Sequence, residues 1–303
     1  MADVNAIEIR NLSKSFRGMY AVDKLNMTIP VGAIYGFIGE NGSGKSTTEK
    51  LICGLLVPDE GEIKLFGRDY RDAGVRVRVG ALIENAGCFP GSTVKTNLMM
   101  QAINLGLKNP EEEIARVLKI VRMEDSQNIK FKACSLGMKQ RIGIAMALLG
   151  NPALLILDEP INGLDADGMR IMREILVDVS QNENCTILIS SHILGELEKI
   201  ATHYGIIRSG RMIQEITAED MAKRSRVCVS IRVRNADKAY KLLLAKYVNV
   251  RKEEEYLRVY DVEDVEGIVA YLYANGQVVS EIQKNKVGLE EYYIEIMSRK
   301  EEQ

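Results

Sequence analysis

The chain has 303 residues, 46% of them hydrophobic and 27% charged, with a formal net charge of −2. That length accommodates a large α/β core plus a smaller domain, and the balance is that of an ordinary globular protein. Acids and bases are interspersed, which excludes an overall electrostatic pull toward nucleic acid or an anionic membrane surface while leaving room for a local basic patch.

The opening segment, "MADVNAIEIRNLSKSF", lacks the basic-then-apolar layout of a secretory leader. Within it "AIEIRNLSKSF", followed by "AVDKLNMTIP", alternates like two antiparallel strands with one buried face. "AIYGFIG" predicts a short buried strand ending in glycine. "KSTTEKLICGLL" follows at helical spacing, with Leu51, Ile52 and Leu55 expected on one side. "GEIKLFG" returns to strand, and "ALLILDEP" and "CTILISSH" read as two more buried strands. Helices are predicted near 111–123, 138–149 and 167–182. Near-continuous apolar strands alternating with helices imply a parallel sheet covered on both faces.

From residue 221 the pattern changes to β-α-β-β-α-β, the ferredoxin-like order, and a last helix, "GLEEYYIEIMSRK", follows it. The expected division is 1–220 for the large α/β domain and 221–303 for a small α+β accessory domain. The acidic run Glu253 to Glu255 reads as a solvated hairpin. The longest apolar run, "IGIAMALLGNPALLILDEP", is broken by Gly150, Asn151 and Pro152. It falls short of the roughly 18 apolar residues of a membrane span, so any membrane work is expected of another chain. Five scattered cysteines without CxxC spacing read as small buried hydrophobes in a reducing compartment. Two histidines cannot build a histidine-rich metal site.

"GENGSGKST" matches G-x-x-x-x-G-K-[ST] between a predicted strand and a predicted helix. Gly39, Gly42 and Gly44 let backbone N–H groups converge on phosphate oxygens, with Asn41, Ser43 and Thr47 completing the cradle, and the helix presents its positive end. Lys45 is expected to reach the β- and γ-phosphates, and Ser46 to hold Mg²⁺. In "ALLILDEP", Asp158 ends an apolar strand and suits the hydration shell of magnesium. Glu159 follows it and is placed to polarise a water for in-line attack. A chance glycine-rich turn and an acid pair capping a helix are the plain alternatives. In this order, at this spacing, they give way to nucleotide chemistry.

The succession of "GENGSGKST", "SLGMKQR", "LLILDEP", "NGLD" and "SSH" resembles the ATP-binding cassette (ABC) ATPases over about residues 5–215. The resemblance implies a P-loop NTPase of ABC type, an α/β fold with an antiparallel β subdomain and a helical subdomain. It also implies that Ser135 and Gly137 act in trans, reaching the γ-phosphate on a second subunit. Asp165 would bridge the dimer interface, His192 would contact the γ-phosphate as a switch, and Phe16 would stack on adenine, with Tyr20 as second choice. The signature departs from the commonest form: Cys134, Leu136 and Met138 stand where Leu, Gly and Gln are usual.

"VGALIENAGCFP" falls where most members carry a glutamine that touches Mg²⁺ and faces the transport subunit; here the residue is Glu84. That glutamate, with "SLGMKQR" and "DEPINGLD", resembles the bacitracin- and lantibiotic-type branch of exporters and immunity transporters. Glu49 is a second departure, an acid where the P-loop helix usually holds an apolar residue. It needs water or a basic partner. The expected function is an ATP- and Mg²⁺-dependent ATPase subunit at the cytoplasmic face of the cell membrane. It would power a separately encoded polytopic permease, pair with a second and identical ATPase subunit, and bind no nucleic acid. The cargo implied is a peptide antibiotic or other amphipathic compound. The segment 85–105 is the expected groove for a permease helix, although core packing explains Leu98 and Met99 equally well. The rival readings are a soluble ABC ATPase acting on ribosomes or DNA, and a weakly hydrolysing regulatory cassette.

Overall fold

The structure, a computed structural model, describes residues 5–224, 227–252, 256–260, 262, 264–286 and 288–298. The chain divides into two compact units, Met1–Ala218 and Glu219–Gln303. The expected hairpin at Glu253 to Glu255 lies outside the described residues.

The chain begins with β1 (Asn5–Phe16), β2 (Met19–Pro30), β3 (Ile34–Ile38), α1 (Lys45–Ile52), β4 (Glu60–Leu65), β5 (Arg68–Asp69), α2 (Ala73–Arg76) and β6 (Val79–Leu82). Three helices come next, α3 (Val94–Asn104), α4 (Pro110–Ile120) and α5 (Leu136–Leu148). Then follow β7 (Leu154–Asp158), α6 (Ala166–Asn182), β8 (Thr186–Ser191), α7 (Leu194–Leu197), β9 (His203–Arg208), β10 (Arg211–Thr217) and α8 (Ala218–Arg224).

β1 and β2 pair antiparallel through Ile7↔Ile29, Ile9↔Met27 and Leu12↔Leu25, and these six side chains are buried. Alternation along both strands therefore marks one face of a four-stranded sheet ordered β2-β1-β4-β5. The second sheet is ordered β10-β9-β3-β8-β7-β6, parallel except for β10 at its edge. Its strands β3 and β8 are buried at every position, because a parallel strand covered on both faces has no solvated side to hold polar groups.

Helix ends differ from the sequence reading for local reasons. α1 stops at Ile52, where Cys53 caps it and Gly54 turns left-handed (φ 67), so Leu55 is exposed instead of sharing the face of Leu51. α4 stops at Ile120, shortly before Arg122 takes φ 56. α5 starts two residues earlier than expected, at Leu136, because Ser135 caps it by accepting the Met138 N–H at 3.3 Å.

The second unit contains β11 (Val227–Val233), α9 (Ala236–Lys246), β12 (Val250–Lys252), β13 (Leu257–Tyr260), α10 (Val265–Ala274), β14 (Val279–Lys286) and α11 (Leu289–Ser298). Its antiparallel sheet is ordered β12-β13-β11-β14, the ferredoxin-like arrangement with first and third strands at the centre. Val229, Ile231, Leu243, Val259, Ile268 and Leu272 form its core. Among the described residues, no helix is long and apolar enough to cross a membrane.

Candidate functional site

The site is built at the carboxyl ends of β3, β7 and β8, where an open parallel sheet offers its crevice. β3 runs into the loop 39–44 and then α1. Gly44 has φ 109, and a Cβ there would strike the Ala21 carbonyl, so the turn admits only glycine. A Cβ at Gly39 would come within 2.5 Å of the Ile207 carbonyl oxygen and of Ser43 Oγ. Asn41 and Gly42 are exposed at the loop's rim, and Thr47 lies half-buried in the first turn of α1. Lys45 is buried, and its Nζ donates to the carbonyls of Gly39 at 2.7 Å and Glu40 at 3.1 Å. Ser43 Oγ is buried with no hydrogen-bond partner among the described residues. An unspent donor in a loop of converging amides fits a polyanion, which is what the phosphates of ATP require.

The acids arrive from β7, whose end lies beside β8 with Asp158 in register with Ser190. Asp158 Oδ1 accepts two hydroxyls, from Ser46 at 3.1 Å and from Ser190 at 3.0 Å. A serine hydroxyl and a carboxylate are hard oxygen donors, the set that suits Mg²⁺. Glu159 adopts φ 50, and its N–H bonds both the carbonyl and the hydroxyl of Ser190, each at 3.2 Å. Its carboxylate lies between two residues of the expected site: Oε1 is 3.8 Å from Lys45 Nζ, and Oε2 is 2.8 Å from His192 Nδ1. The structure thus brings together Lys45, Ser46, Asp158, Glu159 and His192.

Other expected residues stand apart. Ser135 caps α5, and Asp165 caps α6 by accepting the Gly168 N–H at 2.8 Å. A Cβ on Gly137 would meet Leu164 at 3.6 Å, and one on Gly163 would meet Leu136 at 3.1 Å. The signature turn and the "NGLD" turn therefore pack against each other. No hydrogen bond or ion pair among the described residues joins Ser135, Gly137 or Asp165 to the phosphate loop of their own chain. Phe16 and Tyr20 are both exposed near the β1–β2 turn, with Lys14 Nζ 5.6 Å from the Phe16 ring centroid.

Glu84 does not join the expected metal group. It has φ 62, and its exposed carboxylate pairs with Lys50 at 2.6 Å, one helical turn beyond Ser46 on α1. In the adjoining segment, Leu98 is fully buried and belongs to the core, whereas Phe89 is exposed. The open face beside it is a groove lined by Glu84, Cys88, Pro90, Phe131, Leu136 and Lys139.

Two polar residues complete the site beyond those given roles from the sequence. Ser190 is fully buried on β8; it is the first serine of "SSH", where only the histidine carried the reading. Glu49 is also fully buried, and neither carboxylate oxygen has a hydrogen-bond partner among the described residues. Burial, and then the neighbouring charge of Asp158, hold Glu49 well above the usual carboxylate range, which favours its protonated form. Burial, with Glu49 second, pushes the Cys53 thiol up to about 12.

The ABC transporter family profile matches residues 22–162. The bacitracin transport ATP-binding protein BcrA of Bacillus licheniformis is 35% identical over 298 residues, covering 96% of this chain and 97% of that one. The lantibiotic transport ATP-binding protein SrtF of Streptococcus pyogenes is 39% identical over 209 residues, covering 69% and 90%. A solved ATP-binding subunit of an ABC transporter superposes with TM-score 0.64 at 28% identity, covering 72% of this chain and 92% of that one. The dimeric post-hydrolysis structure of an ATP-binding cassette with ADP and Pi superposes with TM-score 0.64 at 22% identity, covering 70% and 98%, a likeness of fold.

Proposed function

The chain belongs to the ABC transporter family as an ATP-binding, ATP-hydrolysing subunit, and on that premise we propose that it powers export of peptide antibiotics or similar amphipathic compounds. The cargo follows from its two similar relatives, one transporting bacitracin and the other a lantibiotic. The bacitracin relative matches through most of both units. The chain works at the cytoplasmic face of the membrane, bound to a separately encoded permease whose helix seats in the groove after Glu84.

The observation that carries the hydrolytic mechanism is the convergence on one spot of Ser46 with Asp158 and of Lys45 and His192 with Glu159. The loop amides, Ser43 and Lys45 bind the phosphates. Ser46 and Asp158 would hold Mg²⁺, which would supply charge neutralisation to the phosphates. Glu159 takes up a proton from the attacking water, and His192 holds Glu159 in place and reaches the γ-phosphate. Ser135, Gly137 and Asp165 stand apart from their own chain's loop, consistent with serving a second copy across a dimer. Phe16 offers its exposed ring to adenine, and the second unit acts as an accessory or regulatory domain.

The test is steady-state ATPase of the protein purified with its permease. Glu159→Gln should lower kcat by about 10²-fold or more, the usual worth of a general base. Hydrolysis unchanged in that variant would sink the mechanism. A purification from host membranes that retains ribosomal proteins and no polytopic partner would sink the transport role.

A further inference from the structure

We propose that Ser190 is a positioning residue for hydrolysis, its one hydroxyl holding the metal-binding carboxylate of Asp158 and the backbone of Glu159 in fixed relation. The inference rests on the mechanism above, and it deepens that mechanism by giving a role to the first serine of "SSH", to which neither spacing nor resemblance assigned one.

A serine hydroxyl has one proton to give and lone pairs to receive. A buried serine in a strand ordinarily spends that proton on a nearby backbone carbonyl. Ser190 Oγ instead donates to Asp158 Oδ1 at 3.0 Å and accepts from the Glu159 N–H at 3.2 Å. The second donor to Asp158 is Ser46, the hydroxyl assigned to Mg²⁺. Ser190 is therefore the donor that remains dedicated to the carboxylate, which fixes the direction of its lone pairs.

The hold on Glu159 has its own physical reason. Glu159 takes φ 50, a region that is strained for a non-glycine residue unless its surroundings impose it. The Glu159 N–H donates in bifurcated fashion to the Ser190 carbonyl and hydroxyl together, and this supplies that imposition. The turn it secures aims Oε2 at His192 Nδ1, 2.8 Å away. Ser190 is fully buried on a strand hydrogen-bonded on both sides, so its own rotamer is locked.

The experiment compares Ser190→Ala, Ser190→Thr and Glu159→Gln with wild type in the permease complex, and records histidine ring NMR of the nucleotide-free and metal-free chain. The chain has only two histidines, so His192 and His203 are readable separately. Ser190→Ala is expected to lower kcat by about 10- to 100-fold, the usual loss on removing a group that orients a metal ligand, with KM for ATP little changed. Its Mg²⁺ requirement should rise, and the His192 ring signal should move while that of His203 stays. Ser190→Thr, which keeps the hydroxyl, should restore all of these. Should the alanine variant unfold, Ser190→Cys keeps the volume while weakening the bond and is read in its place. Wild-type kcat with an unmoved His192 signal would overturn the role of Ser190, as would equal losses in the alanine and threonine variants. Wild-type hydrolysis in Glu159→Gln would overturn the underlying mechanism instead.

Discussion

Replacing Glu49 by leucine should stabilise the protein. Glu49 is sealed from solvent in α1, and neither of its oxygens finds a hydrogen bond among the described residues. Burying a polar group unpaired costs about 1–3 kcal/mol, and an isosteric apolar side chain removes that cost. Glu49→Leu should therefore gain about 1–3 kcal/mol in the first unit. For a domain of that size this amounts to roughly 2–10 °C in Tm. The sign with pH is also determined. The folded pKa lies well above the ordinary 4.5 because burial and Asp158 disfavour the charged form. Below the unfolded pKa both states are protonated. As pH rises above it, the unfolded chain ionises while the folded one does not, so stability is lost toward the raised folded pKa. The advantage of Glu49→Leu should thus widen from pH 4.5 upward, and Glu49→Gln, neutral at all pH, should lack that slope as well. Thermal unfolding of the nucleotide-free chain across pH measures this, with the shift confined to the transition of the first unit. A leucine variant that is less stable, or an advantage that does not change with pH, would refute the reasoning.

Tyr35→Phe should destabilise by about 0.5–1.5 kcal/mol, because the buried Tyr35 donates to the exposed Glu215 carboxylate at 2.6 Å, which also accepts from the Thr28 N–H; urea unfolding measures it. Lys50→Met should change stability by less than about 1 kcal/mol, since the Lys50–Glu84 pair is largely solvated. It should nevertheless free Glu84 and lower the Mg²⁺ concentration needed for half-maximal ATPase, which a magnesium titration would show. Ser135→Ala should cost about 0.5–2 kcal/mol through loss of the α5 cap. If Ser135 also serves the partner's nucleotide, ATP-dependent dimerisation measured by light scattering on a hydrolysis-deficient background should weaken further than Met138→Ala weakens it.

Much of the fold was legible because its signals are local. The alternation in β1 and β2, the continuous apolar runs of β3, β7 and β8, and the β-α-β-β-α-β order of the second unit each depend on neighbours in sequence. The same holds for the phosphate loop, where Gly44 is needed at one turn and Lys45 and Ser46 open one helix. Leu55 and Leu98 were harder. An apolar residue beyond a helix end and another inside a helix look alike in a string, yet Gly54 turns one outward while α3 buries the other.

By itself the sequence determined which chemical groups this protein has and which end of which element carries them, since spacing along a chain decides helix faces, strand ends and loop glycines. Only the tertiary structure decided which groups meet. The register Asp158↔Ser190 between β7 and β8 made a strand serine into the shared partner of Asp158 and Glu159. The approach of the loop after β6 to α1 paired Glu84 with Lys50 instead of bringing it to Ser46 and Asp158, and closure of the sheet over α1 left Glu49 buried with its carboxyl held well above the usual range. Those outcomes depend on distances between segments far apart in the chain, and hydrogen bonds and desolvation act only across such distances once the fold has closed them.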